Sequence, residues 1–196
     1  MRRLLVLAVL TVSLLIPLGS PAQAHGHGHG PGDVYSRDHY SNPYTFTDDG
    51  CDITFDVAGH SSGFEVIYNV PGSGGQAFLD DNRYRYREVW TNPENGRKAY
   101  VSGRAHYREL SATRLHGNVW KFITSTTGAP FTVRNDRGEV VLAEHGRLVT
   151  RQIFDTLGDS QPGGDLIDET VLAVHGSFPT WEPDFDFCGL VTQVLG

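Results

Sequence analysis

Lysine is almost absent from this chain: Lys98 and Lys121 are the only two among 16 basic residues, and the rest are arginine. Methionine occurs once and cysteine twice, at Cys51 and Cys188. Past residue 24 no apolar run approaches the roughly 20 residues needed to cross a bilayer as a helix, which excludes a multipass membrane protein. No heptad or longer period recurs, so coiled coils and repeat arrays are excluded. No Cys-x-x-Cys pair is present to suggest a redox or zinc centre, and no acidic run has the regular ligand spacing and fixed glycine of a calcium loop. Aromatic residues at 11% and hydrophobic residues at 39% exclude global disorder.

The first 24 residues read as an export signal. Arg2 and Arg3 precede the apolar run Leu4 to Leu18, and Ala22-Gln23-Ala24 supplies a small-residue cleavage site. The arginine pair lacks the flanks of a twin-arginine signal, and no cysteine near the cut invites a lipid anchor. The expected product is a secreted, extracellular protein beginning at His25. Removing the signal takes away two arginines and no acid, so the formal charge moves from −7 to −9, which disfavours nucleic acid or an anionic membrane as a global partner. In an exported chain a lone cysteine pair reads as a disulfide. Linking Cys51 to Cys188 closes most of the chain into one loop, for which chain entropy gives on the order of 4–5 kcal/mol.

Residues 25–44 are rich in Gly, Pro and His without apolar periodicity and are expected to form a flexible tail. From residue 45 the pattern has period two. Ile53, Phe55 and Val57 share a face, and Phe64, Val66, Tyr68 and Val70 follow after an expected turn through Gly59-His60-Ser61-Ser62-Gly63. Tyr84, Tyr86 and Trp90 alternate with Arg83, Arg85 and Arg87. Ala99, Val101, Ala105 and Tyr107 alternate with Lys98, Ser102, Arg104, His106 and Arg108. Further strands are expected at 119–126, 131–134, 139–144, 147–154 and 166–175. Asn92 to Gly96 and Asn135 to Gly138 supply hairpin turns. No ten-residue stretch shows a helical face. These features predict an all-β fold of eight or nine antiparallel strands closed into a β-barrel, with a β-sandwich as the alternative. The stretch Phe178 to Phe187 is expected to plug one end, with a carbohydrate platform on Trp181 as the other use of those aromatics.

Phe46-Thr47-Asp48-Asp49-Gly50-Cys51, the turn Thr91 to Gly96, and the ending Val174 to Pro179 through Asp186-Phe187-Cys188 resemble a group of small exported actinobacterial proteins of unknown function. The likeness spans residues 46–196 and implies a β-rich fold with paired cysteines. No activity and no catalytic residue come with it.

Four chemical readings follow from the residues. After cleavage, the amine of His25, the amide nitrogens of Gly26 and His27 and the His27 imidazole form a four-nitrogen set suited to Cu(II) or Ni(II). A copper-dependent oxidase beginning at His25 is the bolder version, with His106, His116, His145 or His175 as a further ligand. Gly59 to Gly63 matches the G-x-S-x-G nucleophile pattern, yet an alternating strand follows it where a hydrolase needs a helix. Asp48-Asp49 with Asp52, Asp80-Asp81, and Asp165 with Asp168 and Glu169 read as solvated turns. The arginine stripe 83/85/87 is expected outside, satisfied by cross-strand carboxylates and water; pointing inward, it would hold an anionic ligand with Arg104, His106 and Arg108. The leading expectation is a secreted binding protein for a small ligand or an extracellular partner. The alternative is a secreted enzyme, either a barrel cyclase or isomerase or the copper oxidase.

Overall fold

The structure, a computed structural model, describes residues 33–196. Strands β1 (Val34–Asp48), β2 (Phe55–Asn69), β3 (Phe78–Thr91), β4 (Lys98–His116) and β5 (Val119–Arg134) form a meander of long antiparallel neighbours. The next two, β6 (Val140–Ala143) and β7 (His145–Asp155), lie on the same side of β5. β6 pairs with Thr132–Arg134 and β7 with Val119–Gly128, while the Glu144 N–H between them donates to the Phe131 carbonyl at 2.8 Å. β8 (Asp165–Ser177) completes the sheet, and a 3-10 turn (Pro179–Trp181) leads to α1 (Phe187–Leu195).

The fold is therefore all-β in one antiparallel sheet, and among the described residues it is not closed into a barrel: there β1 pairs only with β2 and β8 only with β7. The topology supplies a reason. With β6 and β7 sharing one side of β5, the sheet has an odd number of positions, so both edge strands run the same way. Closure would therefore bring β1 and β8 together as a parallel pair, and no such pairing is present among the described residues.

Three other expectations change. Strand β1 begins at Val34, inside the stretch expected to be a flexible tail. The expected turn at Gly59–Gly63 is the middle of the continuous strand β2, and 119–134 is likewise one strand. A helix, α1, is present where none was expected. The side chain of Asp186 caps it by accepting the Gly189 N–H at 2.9 Å, and Leu190, Val191, Val194 and Leu195 form its buried stripe. Each such side chain contributes roughly 1.5–3 kcal/mol over exposure. The Asn92–Gly96 turn does more than join β3 to β4: the Asn92 and Asn95 amides donate to the Leu195 carbonyl at 3.0 and 2.9 Å and hold the end of α1. The Cys51–Cys188 disulfide, with Cα atoms 5.4 Å apart, ties the start of α1 to the segment between β1 and β2.

Two apolar clusters occupy the inner face. One joins Phe55, Val57, Trp90, Val101, Val133 and Leu142 to α1, with Phe185 packed against it and Phe187 edge-on to Trp90. The expected aromatic plug is thus a helix with flanking rings. The other cluster joins Val70 and Ala77 of the β2–β3 connection to Trp120 and Phe122. Between them, tyrosines from one strand lie across glycines of the next. A Cβ on Gly59 would collide with the Tyr44 ring, one on Gly63 with the Tyr40 hydroxyl, and one on Gly103 with the Tyr86 ring. The glycines of the apparent nucleophile pattern are seats for aromatic rings.

Candidate functional site

Alternation along the strands and the pairing register assign each side chain to a face. The inner face between the two clusters carries tyrosines and acids. Tyr44 donates to Glu88 at 2.6 Å, and Trp90 Nε1 donates to the other Glu88 oxygen at 2.7 Å, so this buried carboxylate is fully engaged. The Tyr40 hydroxyl donates to the Asn82 side-chain oxygen at 3.1 Å, and the Asn82 amide donates to Glu65 at 3.2 Å.

Deeper along β3 and β4 is a second network. Glu109 accepts the Asp80 N–H at 2.7 Å and lies 3.2 Å from the Tyr107 hydroxyl, which is also 3.2 Å from Gln152 Oε1. The Gln152 amide donates to Glu169 at 2.7 Å, and Glu169 also accepts from Thr150. A polar network thus runs from Glu109 on β4 across β7 to the edge strand β8, with the single Tyr107 hydroxyl proton shared between the Glu109 and Gln152 oxygens. Asp80 Oδ1 is shut off from solvent and has no partner, a costly state for an ionised oxygen.

Electrostatics follow from what this face lacks. Asp38, Glu65, Asp80, Glu88, Glu109 and Glu169 share it in register, and Glu144 stands close enough to raise Tyr84 and Tyr86. The only described cation sharing it in register is Arg114, at the far rim opposite Trp120, where it donates to the Gly117 carbonyl. Burial, with the charges of Glu65, Glu109 and Asp81 adding to it, pushes Asp80 up to about 8. Burial pushes Glu109 up to about 7 against the opposing bonds from Asp80 and Tyr107. Glu65 and Glu144 are raised, chiefly by burial, and Tyr84 is raised to about 12 by burial first and then by Tyr40 and Glu144. Four of these acids, Glu65, Asp80, Glu109 and Glu144, therefore favour the protonated form, first because burial penalises their charge.

Apart from Asp56 toward one end and Asp155, Asp165 and Asp168 toward the other, the outer face has the opposite composition. Arg83, Arg85 and Arg87 are exposed there, as expected, but the expected cross-strand carboxylates are missing. Across β3–β4, Arg85 stands directly opposite Arg104, Arg83 opposite His106, and Arg87 opposite Ser102. Across β2–β3, the same arginines face Ser62, Phe64 and His60. The rows continue to Arg37 and His39 on β1 and to Arg147 and His175 on β7 and β8. Asp81 is the single acid among them, held by His106 at 2.6 Å and Arg108 at 3.1 Å. Arg83, Arg85, Arg87, Arg104 and Arg147 form no ion pair with any described residue.

Several candidates named from the sequence fall elsewhere. His25, Gly26 and His27 lie outside the described residues. Among the described residues no group of three or more His, Cys, Asp or Glu is placed to hold a metal ion, and no helix is long and apolar enough to cross a membrane. Asp80-Asp81 and Asp165/Asp168/Glu169, expected in solvated turns, belong to β3 and β8. The structure brings none of His106, His145 and His175 into the inner belt. Sequence reasoning missed the belt, although one signal was present: Glu88 sits in step with Tyr84, Tyr86 and Trp90, so a carboxylate shares the face of three aromatics. A groove of about 700 Å³ between the β5–β6 turn and α1, lined by Arg97, Asn135, Arg137 and Gln193, lies apart from both faces.

Compared with family models, curated proteins and solved structures, the chain matches none of them.

Proposed function

We propose that the chain is a secreted, non-enzymatic binding protein whose curled, barrel-like sheet holds a small organic cation, an amine, against the inner belt. The observation that carries this is the concentration of acids on the inner face with no cation among the described residues beside them short of the rim. A bound ammonium would supply the missing countercharge, and Tyr84, Tyr86 and Tyr107 offer ring faces that attract cations. The unpartnered Asp80 Oδ1 is the acceptor left over once the protein's own hydrogen bonds are made. Export is supported by the leader-like composition of residues 1–24 and by the Cys51–Cys188 disulfide. A copper- or nickel-binding start at His25–His27 belongs to the same proposal and is tested by the intact mass of secreted protein with one equivalent of Cu(II).

The test of the main site is titration calorimetry with putrescine at pH 7.5, with 1,4-butanediol as the uncharged control. Binding of the diamine, with release of protons as Asp80 and Glu109 ionise, is the expected result, and Asp80→Asn reduces both. Equal heats for diamine and diol, or none for either, refute it.

One observation favours a second reading. Asp80 at about 8 and Glu109 at about 7 lie close to neutral pH, where a general acid and base of an isomerase or cyclase work best. Turnover of an added substrate that Glu109→Gln abolishes would replace binding with catalysis.

A further inference from the structure

The outer face lies on the opposite side of the same strands and owes nothing to the belt. We propose that it is a docking surface for a linear acidic polysaccharide. The charge complementarity is direct. The protein carries 23 acidic and 16 basic residues, so carboxylates to neutralise these rows were available, yet they hold only Asp81. Arg85 opposite Arg104 is a like-charge cross-strand pair, which costs stability. Its retention without a counterion is explained by an anion from outside.

The layout suits an extended polymer carrying carboxylates. Neighbouring cations are about 5 Å apart across strands and about 7 Å apart along them, comparable with the length of a sugar ring. All the strong bases on these rows are arginines, whose planar fork grips a carboxylate with two parallel bonds. Hydroxyls are interleaved with them. Arg85 Nε donates to Ser62 at 3.0 Å and Arg147 Nε to Ser125 at 3.0 Å, which orients each guanidinium while leaving its terminal nitrogens free for a ligand. Single-stranded nucleic acid asks for exposed aromatic platforms. Here the one phenyl ring in these rows, Phe64, packs against the His39 ring with centroids 4.4 Å apart. An anionic membrane asks for exposed apolar side chains around the cations, whereas the nearby Phe64, Val66, Ala129, Val149 and Ala173 are buried or half-buried.

The experiment measures binding of the full chain to immobilised polygalacturonate, with neutral dextran, duplex DNA and phosphatidylglycerol vesicles alongside. Polygalacturonate is expected to bind in a salt-sensitive way and dextran not at all. Arg85→Gln with Arg104→Gln is expected to weaken binding about tenfold and to lower the slope of log affinity against log salt by about two. Arg137→Gln, at the β5–β6 turn off this face, is the control and should leave binding unchanged. Melting curves verify that both variants are folded. Arg104→Glu provides a second route, because it replaces a like-charge pair with an opposite one. Unaltered affinity in a folded Arg85→Gln/Arg104→Gln protein, or no binding to polygalacturonate, overturns the proposal. Tighter binding to DNA or to the vesicles at the same salt overturns the choice of partner.

Discussion

The two faces of this one sheet solve the same problem in opposite ways. The inner face removes carboxylates from water and keeps them by protonation and by tyrosine, asparagine and glutamine bonds. The outer face leaves arginines in water, where screening makes like charges tolerable. Strands β3 and β4 serve both at once: Asp80, Tyr84, Tyr86 and Glu88 point one way, and Asp81, Arg83, Arg85 and Arg87 the other. A formal charge of −7 conceals this separation, because net charge carries no information about which face a residue occupies.

The largest expected effect breaks the inner face by steric means. Gly103→Val places a Cβ near the Pro130 carbonyl and the Tyr86 ring, both backed by rigid structure. Urea denaturation should show a loss of about 4 kcal/mol, whereas Ser102→Val, one residue away on the outer face, should cost less than about 1 kcal/mol. Next, Cys51→Ala with Cys188→Ala frees α1 from the sheet, and stability should fall by about 3 kcal/mol.

The pH dependence is smaller and has an unusual sign. Asp80 and Glu109 have folded-state pKa values of about 8 and about 7, raised above their ordinary values of 3.8 and 4.5. Between those limits the folded chain binds more protons than the unfolded one. Their contribution is complete below about pH 4 and is lost as pH rises through 7 to 8. Thermal melts should therefore show the melting temperature falling from pH 5 to pH 9, with Asp80→Asn flattening the curve. A melt that instead rises over this range would remove the buried-acid account of the inner face.

The smallest effect has the opposite sign. Arg104→Glu turns a repulsive cross-strand pair into an attractive one and should stabilise the fold by about 0.5 kcal/mol while weakening polyanion binding. A residue kept for structure would not trade one against the other.

Much of this was legible in the sequence at the level of single strands. The alternation of Tyr84, Tyr86 and Trp90 with Arg83, Arg85 and Arg87 assigned the two faces of β3 correctly, and two cysteines allowed one pairing. What failed was information held between strands. Glycines at 59 and 63 look like a turn until Tyr44 and Tyr40 are seen lying over them. Asp80-Asp81 looks like a solvated pair until the register sends one acid inward beside Glu109 and the other outward beside His106 and Arg108. The expected barrel needed a strand count, and a count cannot reveal that β6 and β7 share one side of β5. The arginine stripe was placed on the correct face with the wrong neighbours, because the residue opposite Arg85 is decided by register, and that residue is Arg104. Helix α1 was missed because its stripe is only one turn and a half long, and its cap, Asp186, lies within a run read as an aromatic plug.

The central claim is that the two faces carry separate sites for ligands of opposite charge. Amide and side-chain NMR shifts of one labelled sample, titrated first with putrescine and then with polygalacturonate oligomers, test it most directly. The account predicts that the diamine perturbs Asp80, Tyr84, Tyr107 and Glu109, and that the acidic oligomers perturb Ser62, Arg85, Arg104 and Arg147, with little overlap. Both ligands moving the same set, or neither moving either set, would contradict it.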